Sequence, residues 1–301
     1  MENEFKPNIL VISGGGPRGI AFVGALTELE NKTTFDSSKI KILSGSSIGG
    51  IICFALCVGY TLLEMKNWFL SIDFSILCPA LYNENYSQKI LPLLSSHYSL
   101  STGDEIKQVI INIFIYKNIY TDITFGELYK KTGKLLVVTG SNLTLKRCDY
   151  FSNNTTPSMK ILDALLITTR IPYIFPYIKY NDCIYVDGHL FDPFPVKGCN
   201  VKKEDRNKII GIRTLSRSSI QIENIRDFTI SIIDGISNQY IRKLINKYKK
   251  NIIDVEVDTE FFNLKINTTE MNDLFNKGIQ AGLSYLEERN FIKSSDVLPP
   301  V

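Results

Sequence analysis

The sequence predicts an α/β fold: a three-layer α/β/α sandwich with a mostly parallel central sheet. The chain opens with two apolar runs, residues 8–13 and 39–45, each followed by a Gly-rich turn and by residues with helical spacing. Strands that alternate with helices favour a parallel sheet covered by helices on both faces. The 301 residues are 44% hydrophobic and 22% charged, which is ordinary for a globular protein with a sizeable core.

The other elements follow in order along the chain. Residues 61–100 are rich in aromatic residues and leucines but lack a clean periodicity. Thr102 and Glu105 have the spacing of a capping box at the start of a helix, and Gly235 is expected to interrupt a longer one. Helices are predicted at 18–31, 48–60, 101–116, 158–170, 223–251 and 269–289, and further strands at 134–141, 145–152, 183–188, 208–214 and 252–258.

One domain is expected to span residues 1–301. The sequence shows no internal repeat, low-complexity tract or obvious linker. The motifs described below lie within about residues 8–200, and residues 201–301 are expected to complete the same domain.

Charge and cysteine content narrow the function classes. A formal net charge of +3 gives no case for binding nucleic acid, although it is compatible with an anionic membrane surface. The six cysteines form no CxxC pair and no zinc-like cluster, and we interpret them as free thiols in a reducing compartment. The first residues, MENEFKPN, lack a signal-peptide pattern. We expect a cytoplasmic or peripheral membrane protein.

One uncharged stretch, residues 42–63, is long enough to cross a bilayer. It opens with a cluster of Gly and Ser, however, and a predicted strand precedes it. A helix that is buried on all sides gives the same apolar signal. We therefore expect a buried helix here and no transmembrane helix.

A glycine-rich loop, Gly14-Gly15-Gly16-Pro17-Arg18-Gly19, follows the first strand and opens the first helix. The spacing also fits a dinucleotide-binding loop, but that site needs an acidic residue at the end of the second strand, which ends in serines instead. The loop glycines would also let backbone N–H groups approach developing negative charge, as an oxyanion hole requires. Tight turns alone are the remaining interpretation.

A second motif, Gly45-Ser46-Ser47-Ile48-Gly49, follows the second strand and fits Gly-x-Ser-x-Gly. This strand-to-helix turn exposes a nucleophilic serine in many hydrolases. Neighbouring parallel strands bring their C-terminal loops to the same edge of a sheet. The glycine loop is therefore expected beside Ser47.

The base that would activate Ser47 is the open question. The chain has two histidines, His97 and His189, and neither has the sequence context of a catalytic residue. Asp187 ends a predicted strand and is followed by Gly188, which puts a carboxylate on a tight turn at the sheet edge. A partly desolvated carboxylate that hydrogen-bonds the serine can act as general base.

Four blocks of the sequence, SGGGPRG, GSSIGG, LITTRIPYIFP and YVDGHLFDPFP, resemble the patatin-like phospholipases. The resemblance implies that family's fold and a Ser–Asp dyad without histidine, with Ser47 as nucleophile and Asp187 as base. It also implies an oxyanion hole, and no metal or cofactor. The glycines that would line this oxyanion hole are Gly14, Gly15 and Gly16.

Other residues of these blocks are expected to support the loops or the substrate. Arg18 stands where the family has a basic residue beside the loop, although a surface charge on the first helix is an equal alternative. His189 and Arg170 depart from the family, which usually has small residues at these positions. The remaining supporting positions are Gly19, Gly45, Gly49 and Gly188.

The leading hypothesis from the resemblance is a lipid acyl hydrolase that acts on phospholipids or other acyl lipids at a peripheral membrane surface. An acyltransferase or thioesterase with the same dyad is the alternative enzyme, and a decayed lipid-binding protein is the alternative from another class. The sequence does not indicate an oligomeric state. The residues considered as a cap or membrane-facing segment, with packing in the core as the alternative, are Trp68, Phe69, Leu70, Phe74, Ile76 and Leu77. The basic run 242–250 is compatible with anionic lipid or with a solvated helix face.

Overall fold

The computed structural model describes residues 5–81, 94–96, 98–216, 222, 225–258 and 263–292. His97 lies outside the described residues. The strands are β1 (Ile9–Ile12), β2 (Ile42–Gly45), β3 (Leu135–Asn142), β4 (Arg147–Ser152), β5 (Ile178–Tyr180), β6 (Cys183–Asp187), β7 (Ile209–Ser216) and β8 (Ile252–Val257). The helices are α1 (Gly19–Lys32), α2 (Ile48–Cys57), α3 (Leu62–Ser71), α4 (Asp104–Tyr116), α5 (Phe125–Thr132), α6 (Ile161–Thr168), α7 (Ile225–Tyr248) and α8 (Thr268–Glu288).

The described strands form one mixed sheet in the order β5-β6-β3-β2-β1-β7-β8, with β4 paired to β3. Strands β3, β2, β1, β7 and β8 run parallel to one another, which confirms the mostly parallel sheet that the alternation of strands and helices predicts. Strands β4 and β6 both run antiparallel to β3, a reversal that the alternation does not indicate.

The two edges of β3 are occupied differently, and this determines where the motifs meet. Strand β4 pairs with residues 137–142 of β3 and fills one edge of that strand. Strand β2, which pairs with residues 135–138 of β3, and strand β6, which pairs with residues 140–142, therefore share the other edge. On that edge β2 ends with Gly45 opposite Val138, while β6, running the other way, ends with Asp187 opposite Gly140. Because a strand rises about 3.3 Å per residue, the two strand ends lie only about 7 Å apart along β3.

Both faces of the sheet are covered, which confirms the three-layer architecture. In β1, Leu10 and Ile12 face a large core that α1, α2, α6 and α8 share. Ile9 and Val11 face a smaller cluster that includes residues of α7 and of the segment 194–199. All four residues of β1 are buried, two on each face of the sheet, which is typical of a central parallel strand.

Glycines bring α1 and α8 into direct backbone contact. A Cβ on Gly24 of α1 would lie 2.1 Å from the carbonyl oxygen of Phe275, and one on Gly278 of α8 would lie 2.0 Å from that of Ala21. Since no side chain fits between the two backbones, α8 is held tightly against the first helix of the chain. Helix α8 therefore packs on the part of the chain that carries the motifs.

Two details of the helices differ from the sequence prediction. Helix α4 begins at Asp104 with Gly103 as its N-cap, in a left-handed conformation, so the Thr102–Glu105 capping box is wrong. Helix α7 continues without a break through Gly235, which is exposed and has room around it. The cost of one exposed helical glycine, about 1 kcal/mol, is smaller than the gain from packing the rest of the helix.

The uncharged stretch 42–63 contains β2 and α2, and α2 is buried along its whole length. The prediction of a buried helix is therefore confirmed. Within the described residues, no helix is both long and apolar enough to span a bilayer.

The segment considered as membrane-facing lies mostly in the core. Phe69, Phe74 and Leu77 are buried, and Trp68 and Leu70 are partly buried against the same core. Ile76, 45% exposed, is the exception within this set. The alternative of packing in the core is therefore confirmed for Phe69, Phe74 and Leu77.

Candidate active site

Ser47 occupies a sharp turn between β2 and α2. Its backbone has φ 54° and ψ −128°, a conformation that costs free energy for a residue with a side chain. The turn is tight enough to require glycine on both sides: a Cβ on Gly45 would lie 2.2 Å from the backbone of Gly49, and one on Gly49 would lie 2.4 Å from the carbonyl oxygen of Ile12. Such a strained strand-to-helix turn is typical of a nucleophile elbow.

Ser47 and Asp187 are in direct contact. The Ser47 hydroxyl donates a hydrogen bond of 2.7 Å to Oδ2 of Asp187, and the backbone N–H of His189 donates to Oδ1 at 2.8 Å. Both residues are buried: 5% of the surface of Ser47 and 3% of the surface of Asp187 is exposed. Burial raises the pKa of Asp187 to about 7, although the two hydrogen bonds oppose the shift. A carboxyl group with this pKa exchanges protons near neutral pH, as a general base must.

The C-terminal end of α6 and the residues directly after it hold both Ser47 and Asp187 in place. The backbone N–H of Ser47 donates to Oγ1 of Thr168 at 2.9 Å, and the backbone N–H of Asp187 donates to the carbonyl oxygen of Arg170 at 2.8 Å. Thr139 of β3 lies behind Thr168, with 3.5 Å between the hydroxyl oxygens. The sequence patterns do not single out Thr168, although it lies within the LITTRIPYIFP block.

The glycine loop lies beside Ser47 at the same edge of the sheet, as the parallel pairing of β1 and β2 predicts. The Gly15 carbonyl accepts hydrogen bonds from the backbone N–H of Arg18 at 3.2 Å and from its Nε at 3.3 Å. Because a trans peptide points its C=O and its N–H in opposite directions, the N–H of Gly16 is directed away from Arg18. Gly16 has φ 56° and lines the cavity that contains Ser47.

Arg18 is buried, with only 4% of the residue exposed, so the alternative of a surface charge is wrong. Desolvation lowers the pKa of its guanidinium to about 10, while the carboxylate of Asp234 on α7 favours the charged form. The buried side chain supports the glycine loop through the hydrogen bond from its Nε to the Gly15 carbonyl oxygen. Gly19 lets the start of α1 pack closely on the start of α2, because a Cβ at this position would lie only 2.7 Å from the side chain of Ile48.

His189 packs against the glycine loop. A Cβ on Gly14 would lie 2.3 Å from Nδ1 of His189, so the larger side chain fits after Asp187-Gly188 because position 14 has none. Burial, with the nearby positive charge of Arg18, lowers the pKa of His189 to about 3, and the imidazole is uncharged at neutral pH. Gly188 is also required, since a Cβ there would lie 2.0 Å from Oγ1 of Thr139.

Arg170 is buried and faces the start of α4. Its Nη1 donates to the carbonyl oxygen of Gly103 at 3.3 Å, and a Cβ on Gly103 would lie 1.7 Å from this nitrogen. Burial lowers the pKa of Arg170 to about 10, although Asp104 opposes the shift. The large residue at this position therefore joins α4 to the segment that holds Asp187.

The loop after Asp187 is anchored by Asp192, which is fully buried. Its Oδ2 accepts hydrogen bonds from the hydroxyls of Tyr150 on β4, at 2.5 Å, and Tyr240 on α7, at 3.2 Å. Burial raises the pKa of Asp192 to about 6. This network fixes the loop that carries His189 between one strand and one helix.

A narrow cavity of about 50 Å³ opens over Ser47 and is almost entirely apolar. Its walls come from α2, from α4, from the segment after α6 and from the segment 74–77. The lining residues are Gly16, Pro17, Ser47, Ile48, Ile51, Phe74, Leu77, Ile106, Thr169, Ile171, Phe175 and Leu264. Within the described part of the chain, no group of three or more His, Cys, Asp or Glu side chains is arranged to hold a metal ion.

Comparisons with known proteins point to one family. A family model described as Patatin-like phospholipase matches residues 10–199. A probable lipid hydrolase, 463L of Invertebrate iridescent virus 6, is 36% identical over 213 residues, which cover 68% of this chain and 69% of that protein. Triacylglycerol lipase 4 of Saccharomyces cerevisiae is 29% identical over 171 residues, which cover 56% of this chain but 18% of that protein.

Solved structures share the fold at low sequence identity. VipD from Legionella pneumophila superposes with a TM-score of 0.62 and 16% identity, covering 94% of this chain and 67% of that chain. The type III effector ExoU superposes with a TM-score of 0.52 and 16% identity, covering 96% of this chain and 54% of that chain. At these identities the likeness shows the fold alone.

Proposed function

Because the chain belongs to the patatin-like phospholipase family, whose activity is lipid hydrolysis, we propose that it cleaves fatty-acyl esters of phospholipids through an acyl-enzyme on Ser47. Asp187 is the general base, and the Gly14–Gly16 loop stabilises the oxyanion. The observation that carries the proposal is the 2.7 Å hydrogen bond from the Ser47 hydroxyl to the buried Asp187 carboxylate.

In the first half of the reaction, Oγ of Ser47 attacks the carbonyl carbon of the ester while its proton passes to Asp187. The carbonyl oxygen becomes an oxyanion, which backbone N–H groups of the glycine loop stabilise; one such donor contributes about 3 kcal/mol to lowering a barrier of this kind. Collapse of the intermediate breaks the ester C–O bond, and Asp187 returns the proton to the leaving alcohol. The acyl group remains on Ser47.

In the second half, water attacks the acyl-enzyme and Asp187 takes its proton. Collapse then releases the fatty acid, and the proton returns to Oγ of Ser47. The raised pKa of Asp187 suits both halves, because the carboxyl group accepts and donates a proton near neutral pH. No histidine is needed, since the carboxylate contacts the serine directly.

The lipid substrate class is supported by the apolar cavity and by the names of the relatives. The cavity brings aliphatic and aromatic side chains, such as Ile48, Leu77 and Phe175, to the nucleophile, and these suit an acyl chain. The phospholipase family and the relative named as a triacylglycerol lipase support an acyl ester as the bond that is cleaved. We place the enzyme at a peripheral membrane surface, where such lipids are found.

The test is labelling by a fluorophosphonate probe with peptide mapping, alongside fatty-acid release from phospholipid. We expect label on Ser47 that is absent in Ser47→Ala and slowed at least about a hundredfold in Asp187→Asn, because the base is lost. Ser46→Ala is the matched control: within the described residues nothing hydrogen-bonds the buried Ser46 hydroxyl, so its removal should leave labelling unchanged. A folded protein whose Ser47 stays unlabelled and which releases no fatty acid would contradict the proposal and favour a lipid-binding role.

A further inference from the structure

Two tyrosines have an unusual backbone conformation and an exposed side chain. Tyr98 has φ 54° and Tyr173 has φ 65°, so both lie in the left-handed region that bulky residues rarely adopt. They are 62% and 53% exposed, respectively. Glycine or asparagine would adopt this conformation at a lower cost, and an exposed aromatic ring gains little from packing. A strained residue that the fold nevertheless retains points to a role outside stability.

The two tyrosines belong to one structural unit. The backbone N–H of Leu100 donates to the carbonyl oxygen of Tyr173 at 2.8 Å, and that of Ser101 donates to Ile174 at 3.0 Å, so the two segments lie side by side. The ring of Tyr98 also stacks on that of Tyr177, with 6.4 Å between the centroids. We call Tyr98, Tyr173 and Tyr177 the tyrosine cluster.

The tyrosine cluster lies on the outer side of a segment that lines the cavity over Ser47. Ile171 and Phe175 line this cavity, and Tyr173 lies between them on the same segment with its side chain directed to solvent. The segment therefore has an inner side that faces the nucleophile and an outer side that presents a tyrosine. A surface that binds Tyr173 therefore contacts the segment whose other side lines the cavity.

We propose that the tyrosine cluster inserts into the boundary between headgroups and acyl chains of a phospholipid bilayer and turns the cavity toward the lipid. Tyrosine suits this boundary because its ring is apolar and its hydroxyl hydrogen-bonds to water or headgroups. The cluster contains no charged side chain, so it fits a zwitterionic surface and its binding does not depend on anionic lipid. The proposal rests on the lipid substrate proposed above and adds the surface by which that substrate is reached.

The test compares Tyr98→Asn/Tyr173→Asn with the unchanged chain, both carrying Ser47→Ala so that the lipid is not consumed. Asparagine accepts the left-handed conformation, so we expect an unchanged or higher melting temperature. Binding to phosphatidylcholine vesicles should nevertheless weaken about tenfold, since two aromatic side chains no longer enter the interface. Tyr120→Asn is the matched control: this tyrosine is 83% exposed but follows the end of α4 opposite the one that supplies Ile106 to the cavity.

The same double variant with Ser47 intact separates docking from chemistry. We expect turnover of vesicle phospholipid to fall by a larger factor than turnover of a dissolved short-chain ester. Equal losses on both substrates, or unchanged vesicle binding by the double variant, would overturn the proposal. So would binding that requires anionic vesicles and is abolished by salt, since that behaviour would point to the basic run 242–250. Because vesicle binding is measured without catalysis, its outcome does not depend on whether Ser47 is the nucleophile.

Discussion

At the scale of single residues, the site depends on a carboxyl group whose charge is unfavourable where it lies. Asp187 is buried at the end of β6, and its contacts are a serine hydroxyl and a backbone N–H rather than a positive charge. Desolvation therefore dominates, and the folded protein binds the proton of this group more tightly than the unfolded chain does. The same feature that suits Asp187 to the proposed role of a base at neutral pH thus lowers stability there.

We predict a pH dependence with opposite signs for reactivity and stability. Labelling of Ser47 should rise as pH increases through about 7, because Asp187 acts as a base only when ionised. The contribution of Asp187 to the free energy of unfolding should fall between its ordinary pKa of 3.8 and about 7. Asp187→Asn should therefore be more stable than the unchanged protein at pH 8, by up to about 4 kcal/mol, and this difference should vanish below pH 4. Chemical unfolding at the two pH values measures the difference, and an equal effect at both would contradict it.

At the scale of elements, the segment at the end of α6 positions two residues that belong to different parts of the sheet edge: Ser47 in the turn after β2, and Asp187 at the end of β6. The last residue of α6 supplies Oγ1 of Thr168 to Ser47, and the segment that follows the helix supplies the carbonyl oxygen of Arg170 to Asp187. The motifs predicted the turn at Ser47 and the turn after Asp187, because both are local patterns of glycines around one residue. They did not predict Thr168, since the need for an acceptor at that point arises only when β2 and β6 are side by side with α6.

We predict that Thr168→Val weakens the site although the side chain keeps its shape. The buried N–H of Ser47 would lose its acceptor, which costs about 1–3 kcal/mol. The melting temperature and the rate of fluorophosphonate labelling should both decrease. Thr168→Ser restores the hydroxyl and is expected to recover most of the labelling rate, whereas a purely space-filling role for Thr168 would give the opposite order of the two variants.

At the scale of the whole molecule, the C-terminal third is attached to the rest through contacts that tolerate no added atom. Helix α8 meets α1 at Gly278 and Gly24, and β8 extends the sheet beside β7. The sequence indicated two helices and two strands in this region. It did not indicate their partners, because the close approach of two helices depends on glycines that are far apart in the chain. We infer that residues 201–301 complete one cooperative domain.

We predict that Gly278→Ala destabilises the protein as a whole. The new methyl group would lie 2.0 Å from the carbonyl oxygen of Ala21, so the helices must separate, at a cost of about 1–3 kcal/mol. Gly235→Ala is the matched control: it lies in an exposed helical position with space around it, and should stabilise α7 by about 0.5–1 kcal/mol. Calorimetry should show a single transition, at a lower temperature in Gly278→Ala and at a higher temperature in Gly235→Ala. A separate transition for the C-terminal third would contradict the single domain.

The arrangement of β2 and β6 along one edge of β3 has a consequence for the synthesis of the protein. Ser47 and Asp187 are 140 positions apart, and they meet only after β6 has turned back along β3. Ser47 therefore emerges from the ribosome long before Asp187, and the nascent chain carries the proposed nucleophile without its base. On the proposed mechanism, the nascent polypeptide is harmless to the membranes of the cell that makes it until translation has passed the end of β6.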